Sequence, residues 1–475
     1  MWSSSEYTSW NIKQYHVKSF NYSRYENTNT PFHDCKHPPP HPLHYFKEKN
    51  IVQTKHSICK RQFSDVHNRS LFLTKCNEAT YGASLDDMKM TIHKKERKEI
   101  NFEVLFVKCV DYDDGDDINH FLIPIPIPNI HEKKDSGTHY NVIHLIIDAT
   151  SRRQWEALMY KTSNTMMNLK NSRLFRMNNL WVNGWNSRPN KLRQVCYNND
   201  CKDSMIKRYN ESGYKTAWLN EYSRLCCGQY NDVSFQNKLK DNNYGVMGYP
   251  FYDMRRIGVD HLIAGDYMER NWGKDSANLY FEETNPYSSG CAHQSQLTEL
   301  LLTYVSDMTE LYSKYYVVLM SFIAHSTDYM RLSLIDSQLS NTLRKWDNNV
   351  LKDTIVVISG DHGIHYSAIN SFESGEYEHR NPVFDILVPH TLLEKTPEVI
   401  NNLKHNQHQL LTHHDIFETI NNFRYFEKGR LSEYKNRKGY DLFNQKVPSN
   451  RTCMSADIPK EWCNCFTKIQ TQDSE

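Results

Sequence analysis

The chain of 475 residues lacks any uninterrupted apolar run long enough to span a bilayer. It also lacks net charge of either sign. Its 57 basic and 56 acidic residues leave +1, so no broad field is set up for nucleic acid or an anionic membrane surface. Mean hydropathy is low at -0.74, which suits a soluble protein with long polar loops. There is no internal repeat and no paired Cys-x-x-Cys spacing, which argues against a zinc module for its 12 cysteines. The start, Met1-Trp2-Ser3-Ser4-Ser5-Glu6, has neither the basic stretch nor the apolar core of a signal peptide.

The cysteines that are present lie outside the apolar strand-like segments. Cys35, Cys59, Cys76 and Cys109 precede them, Cys196, Cys201, Cys226, Cys227 and Cys291 lie between them, and Cys453, Cys463 and Cys465 follow. An even number in irregular polar regions reads as a disulfide framework, which requires an extracellular or secretory-lumen location. The expectation is therefore that the true start lies upstream of Met1. Sequons at Asn21, Asn68, Asn210 and Asn450 are compatible with glycosylation.

Three parts are expected: a Cys/His/Pro-bearing extension over 1–139, an α/β domain over 140–425, and a Cys-containing tail over 426–475 packed upon it. Pro38-Pro39-Pro40-His41-Pro42 and Ile123-Pro124-Ile125-Pro126-Ile127-Pro128 must be extended, the second as a linker into the sheet. Buried parallel strands are expected at Asn141–Ile147, Tyr315–Ala324 and Thr354–Ile358, with further strands at Lys215–Leu219 and Phe384–Val388. Helical spacing runs from Gln154 to Leu169 and from Gln296 to Leu311.

Three of these strands end on residues that can ligate a cation. Asp148 closes the first, His325 the second, and Asp361-His362 follows Ser359-Gly360 at the end of the third. Open α/β sheets hold ligands at the carboxyl ends of their strands, and carboxylate plus imidazole suits Zn²⁺ or Mn²⁺. The plain alternative for Asp148 is that it caps the helix that starts near Gln154.

In that order, Asp148, His325 and Asp361-His362 resemble the alkaline phosphatase and sulfatase superfamily. Within it the chain is similar to an animal extracellular family known as domain of unknown function 229. Asp148-Ala149-Thr150-Ser151-Arg152 matches its Asp-Ser-x-Ser-Arg opening, and Glu376-Tyr377-Glu378-His379-Arg380-Asn381-Pro382 resembles its Leu-Glu-Glu-Arg-x-Pro segment, with His379 in place of the usual second acid. The tail from Cys453 to Cys465 matches its Cys-x-x-Ala-x-Ile-Pro…Cys-x-Cys close, so the likeness runs from about Cys109 to Cys465. It implies an alkaline phosphatase-like α/β fold with a mostly parallel sheet and helices on both faces.

The resemblance also implies chemistry. Asn186-Ser187-Arg188-Pro189-Asn190 resembles the family's Asn-Thr-x-Pro-Asn, which places Ser187 as nucleophile, although this is also ordinary turn chemistry. Ser187 to Lys191 approximates the sulfatase modification signature, with Lys191 in place of Arg. The implied ligands of a divalent metal (Zn²⁺, with Mn²⁺ or Ca²⁺ as alternatives) are Asp148, Ser187, Asp361 and His362. His325 and His413 would serve a second ion. Arg152 or Arg188 would hold the anionic substrate. The acid that alkaline phosphatases carry four residues before the His equivalent to His325 is Ser321 here, with Asp328 or Asp336 as substitutes. The expected function is metal-dependent hydrolysis of phosphate or sulfate esters. The alternatives are an inactive extracellular binding or structural protein that retains the fold, and transfer of a phospho-headgroup to an acceptor other than water.

Overall fold

In the computed structural model, a seven-stranded sheet organises the chain. The described residues are 139–197, 200–221, 259–264, 291–292, 295–326, 328–365, 367–371, 373–425 and 438–468. Of the N-terminal part they include 22–24, 29–35, 64–67, 70–73, 76–83, 90–100, 104–109 and 120–124. The Pro38–Pro42 run lies outside them.

The sheet strands are β1 (Asn141–Ile147), β2 (Ser172–Arg176), β3 (Lys215–Asn220), β4 (His261–Ala264), β5 (Tyr315–Ser321), β6 (Thr354–Ser359) and β7 (Phe384–Pro389). Their order is β2-β7-β6-β1-β5-β3-β4. The β6-β1-β5-β3-β4 block is parallel, whereas β7 pairs antiparallel with β6 and the edge strand β2 pairs antiparallel with β7. The five expected strands are present, and β2 and β4 were not foreseen.

β1, β5 and β6 are buried along their whole length because alternate side chains enter two different cores. On one face Ile143, Leu145, Val317, Leu319, Val356 and Ile358 pack with α3 (Leu297–Leu311) and α4 (Asp336–Asn349). On the other, Val142, Ile146, Val318, Met320, Ile355 and Val357 meet α6 (His413–Phe423) through Ile416, Phe417 and Ile420. The expected Gln154–Leu169 helix is two: α1 (Arg152–Leu158) and a shorter one at Tyr160–Met167, broken at Met159. Two more helices serve the site, α2 (Ser187–Val195) and α5 (Glu373–Arg380).

The N-terminal part adds a separate small core. Leu71, Leu73, Ala79, Tyr81, Ile92, Leu105 and Val107 lie on short antiparallel strands, one of which, His120–Pro124, absorbs the start of the Ile-Pro run. The tail is tied back by disulfides Cys35–Cys465 and Cys453–Cys463, and Cys76 and Cys196 are also disulfide-bonded. The disulfide framework expected from the cysteines is thus present among the described residues. No described helix is long and apolar enough to cross a membrane.

A buried ion pair fixes the tail to α6. Arg451 Nη1 donates to Asp415 Oδ2 (2.7 Å) and to the Leu410 carbonyl (3.0 Å). Arg451→Met strands a fully buried carboxylate, so unfolding in urea should show a loss of about 3–5 kcal/mol. An unchanged urea midpoint would contradict this.

Candidate active site

β1 and β6 are parallel neighbours in a register that sets Ser359 opposite Ile146. Asp148 and Asp361 each follow those paired residues by two positions, so the two carboxylates leave the sheet side by side. The loops behind them are tightly fitted. Ala149 takes the left-handed conformation (φ 56°), and its N–H reaches Asp361 Oδ1 at 3.2 Å. A Cβ on Gly363 would fall 2.1 Å from the Glu378 carbonyl oxygen, which leaves glycine the residue that fits. Asp148 does not cap α1. Ser151 does, by accepting from Gln154 N at 2.9 Å, so Asp148 is left to the site.

α2 starts at Ser187 and carries that hydroxyl to the same place. Ser187 Oγ donates to Asp148 Oδ2 (2.9 Å) and lies 3.3 Å from His362 Nε2. His362 Nδ1 is 2.8 Å from the Gly363 carbonyl, which turns Nε2 inward to 3.7 Å from Asp148 Oδ1 and 3.6 Å from Asp361 Oδ2. Asp148, Ser187, Asp361 and His362 are all fully buried. One atom of each of Asp148, Asp361 and His362 lies within 4.8 Å of the others, a spacing that can hold a metal ion. Asp148 Oδ1 accepts no hydrogen bond. A buried carboxylate oxygen left in that state fits a cation ligand.

Sequence reasoning assigned no role to Lys191. One helical turn beyond Ser187, its ammonium binds Asp148 Oδ2, stands 3.4 Å from Asp361 Oδ2 and faces the Phe322 ring at 4.1 Å. Burial alone would raise the Asp148 carboxyl, but Lys191, His325 and His362 outweigh it and hold the group well below the usual carboxylate range. For Asp361, burial and the Asp148 charge push upward, and His362 with Lys191 bring the net shift down.

A second group, His362, His365 and His379, also has metal-ligand spacing. His325 borders it, with its ring 5.8 Å from that of His365. Burial first, then neighbouring His362, pushes His379 down to about 3 and His365 far below its ordinary value, so both rings are neutral at pH 7. Trp185 and the tail residue Trp462 close over this side, with Trp185 packed edge-on to His379 at 4.9 Å.

Other expected residues are engaged elsewhere. His413 is buried with Nε2 3.4 Å from the Gly360 carbonyl, and it joins neither ligand group among the described residues. Arg152 Nη2 is held by Asp385 Oδ1 (2.7 Å) and the Phe384 carbonyl (2.6 Å). The side chain of Arg188 lies outside the described residues. Asp328 caps a short 3-10 helix, and Asp336 accepts the N–H groups of Lys161 and Thr162. Ser321, where an acid was expected, is bonded to an acid at the end of the neighbouring strand: Glu221 Oε2 accepts from Ser321 Oγ (3.0 Å) and Phe322 N (2.7 Å).

Burial pushes the Glu221 carboxyl up to about 7, against 4.5 for an ordinary glutamic acid. The folded protein therefore keeps a proton there that the unfolded chain releases, and stability falls as pH rises from about 5 to 8. The contribution is roughly 3 kcal/mol. Glu221→Gln should lack this slope, as read by urea unfolding of both proteins at pH 5 and pH 8. Equal slopes would refute the assignment.

Several solved structures are distantly similar to the chain. One is the lipoteichoic acid synthase LtaP from Listeria monocytogenes, at 14% identity and TM-score 0.39, covering 64% of this chain and 76% of that one. The C-terminal periplasmic domain of EcEptC from Escherichia coli, in a complex with Zn, gives 11% identity and TM-score 0.38 over 62% and 85%. Alkaline phosphatase from the Antarctic bacterium TAB5 gives 14% identity and TM-score 0.37 over 61% and 99%. No curated protein matches the chain. The matched family segment begins beyond Asp148 and Ser187 and includes His325, Asp361, His362, His413 and the cysteine tail. Over residues 266–475 the chain matches the family model described as protein of unknown function (DUF229), the family that its motifs resemble.

Proposed function

We propose that the chain is a metal-dependent enzyme of the alkaline phosphatase-like type that acts on phosphate or sulfate esters through Ser187. The observation that carries this is the meeting of a helix-start hydroxyl, two buried carboxylates and an imidazole Nε2 from three separate stretches of sequence. Asp148, Asp361, His362 and Ser187 would hold the ion, with zinc suited to the mixed N/O set and manganese or calcium as alternatives. Such an ion supplies positive charge that lowers the pKa of the serine hydroxyl and offsets the charge on the ester oxygens.

The chain's own groups do the rest. Asp148 Oδ2 orients the Ser187 hydroxyl by accepting its hydrogen bond, and the first turn of α2 favours negative charge at that point. As the Ser187 proton is given up to solvent, a bond from Ser187 Oγ to phosphorus or sulfur forms, the ester bond breaks, and the leaving oxygen takes a proton from water and departs as the alcohol. Water then takes the group from Ser187 and restores the hydroxyl. His379 and His365, neutral and beside His362, would face the leaving side of an ester attacked by Ser187. Arg152, held by Asp385, has no part in binding the ester. Disulfide bonding supports an extracellular or secretory-lumen location.

A second reading, a non-catalytic protein that retains the fold, is favoured by one observation: the Lys191 ammonium already neutralises part of the carboxylate charge. Metal analysis and a side-by-side screen of phosphate monoesters, diesters and sulfates separate the two. Asp361→Ala should lose the bound ion, and both it and Ser187→Ala should lose turnover by about a thousandfold or more. Unchanged metal content and turnover in Asp361→Ala would overturn the assignment.

A further inference from the structure

Ser187 and Lys191 are four residues apart on α2, so they share one face of the helix, and that face is turned to the carboxylate pair. The Lys191 side chain is 1% exposed, with Asp148 Oδ2 and Asp361 Oδ2 on one side and the Phe322 ring on the other. These are oxygens that a divalent ion between the carboxylates would also use. A lysine ammonium is a compact point charge that donates hydrogen bonds and offers no lone pair, so it cannot ligate an ion and repels one close by. Of the positions expected to serve a second ion, His413 Nε2 faces the Gly360 carbonyl and the Ser321 hydroxyl faces Glu221, which leaves the His362, His365 and His379 group as the other place with metal-ligand spacing among the described residues.

We propose that Lys191 is the second positive charge of this site, so that Asp148 and Asp361 take one divalent ion and hold it weakly. This rests on the metal-dependent reading given under Proposed function. It makes a lysine, rather than ligand supply alone, the determinant of how many ions the site takes and how tightly.

The test is calorimetric titration of Zn²⁺ and of Mn²⁺ into the full chain as wild type, Lys191→Met and Lys191→Arg. Wild type should take up one equivalent at this site. Lys191→Met should bind at least about tenfold more tightly, or take a second equivalent, since a repelling charge a few ångströms away is gone. Lys191→Arg, which keeps the charge, should bind as wild type does. Equal affinity and stoichiometry in wild type and Lys191→Met, with matching thermal melting, overturn the role of Lys191 and leave metal dependence intact. Two equivalents in wild type, or a gain in Lys191→Arg as large as in Lys191→Met, overturn it as well. Uptake of no ion by any of the three overturns this proposal and the metal-dependent reading together. If Lys191→Met fails to fold alone, recovery of the native fold with Zn²⁺ or Mn²⁺ supports the proposal, and failure to recover with either overturns it.

Discussion

Two buried carboxylates set side by side are the constraint around which this protein is arranged. Asp148 and Asp361 are pushed toward each other by strand register, and each is fully buried. Like charges side by side in a buried site are unstable unless positive charge lies among them. Each nearby element therefore contributes either a positive group or a donor. His362 turns its Nε2 inward, the Ala149 N–H bonds Asp361, and α2 delivers both a hydroxyl and an ammonium.

The sheet supplies the rigidity this requires. With both faces packed, β1 and β6 cannot shift relative to one another without opening two cores at once. The support continues outward. Glu378 on α5 accepts from Ser151 Oγ and Tyr329 hydroxyl, so the loop after Asp148 is braced from the same helix that carries His379. The tail adds Trp462 against Trp185, two residues before Ser187. Residues remote in sequence thus set the position of one hydroxyl.

Much of this was legible in the sequence, for reasons that can be named. β1, β5 and β6 are runs made largely of β-branched and other apolar residues, as suits a strand buried on both faces. Their end residues then fell at the site because strand ends align in a parallel sheet. What escaped notice depends on contacts that a linear pattern does not encode. β2 (Ser-Arg-Leu-Phe-Arg) is an antiparallel edge with polar positions, and it reads as loop. Glu221 has no motif, and it matters only because β3 lies beside β5. His379 was visible as a departure from the family pattern at that position, yet its placement beside His362 follows from the packing of α5. The antiparallel strands near the N-terminus carry short, weakly patterned segments that pairing alone defines.

The Cys35–Cys465 bond joins positions 430 residues apart, so nearly the whole polypeptide is closed into a covalent loop. A peptide bond cut anywhere within that loop would yield fragments that stay linked, and the sheet strands would not be free to diffuse apart. Loss of the early segment would also release the anchor of Cys465, a neighbour of Trp462, and with it one wall of the site. Cys35 and Cys465 are in this sense adjoining parts, and the cover that Trp462 and Trp185 form on this side of the site is a property of their junction.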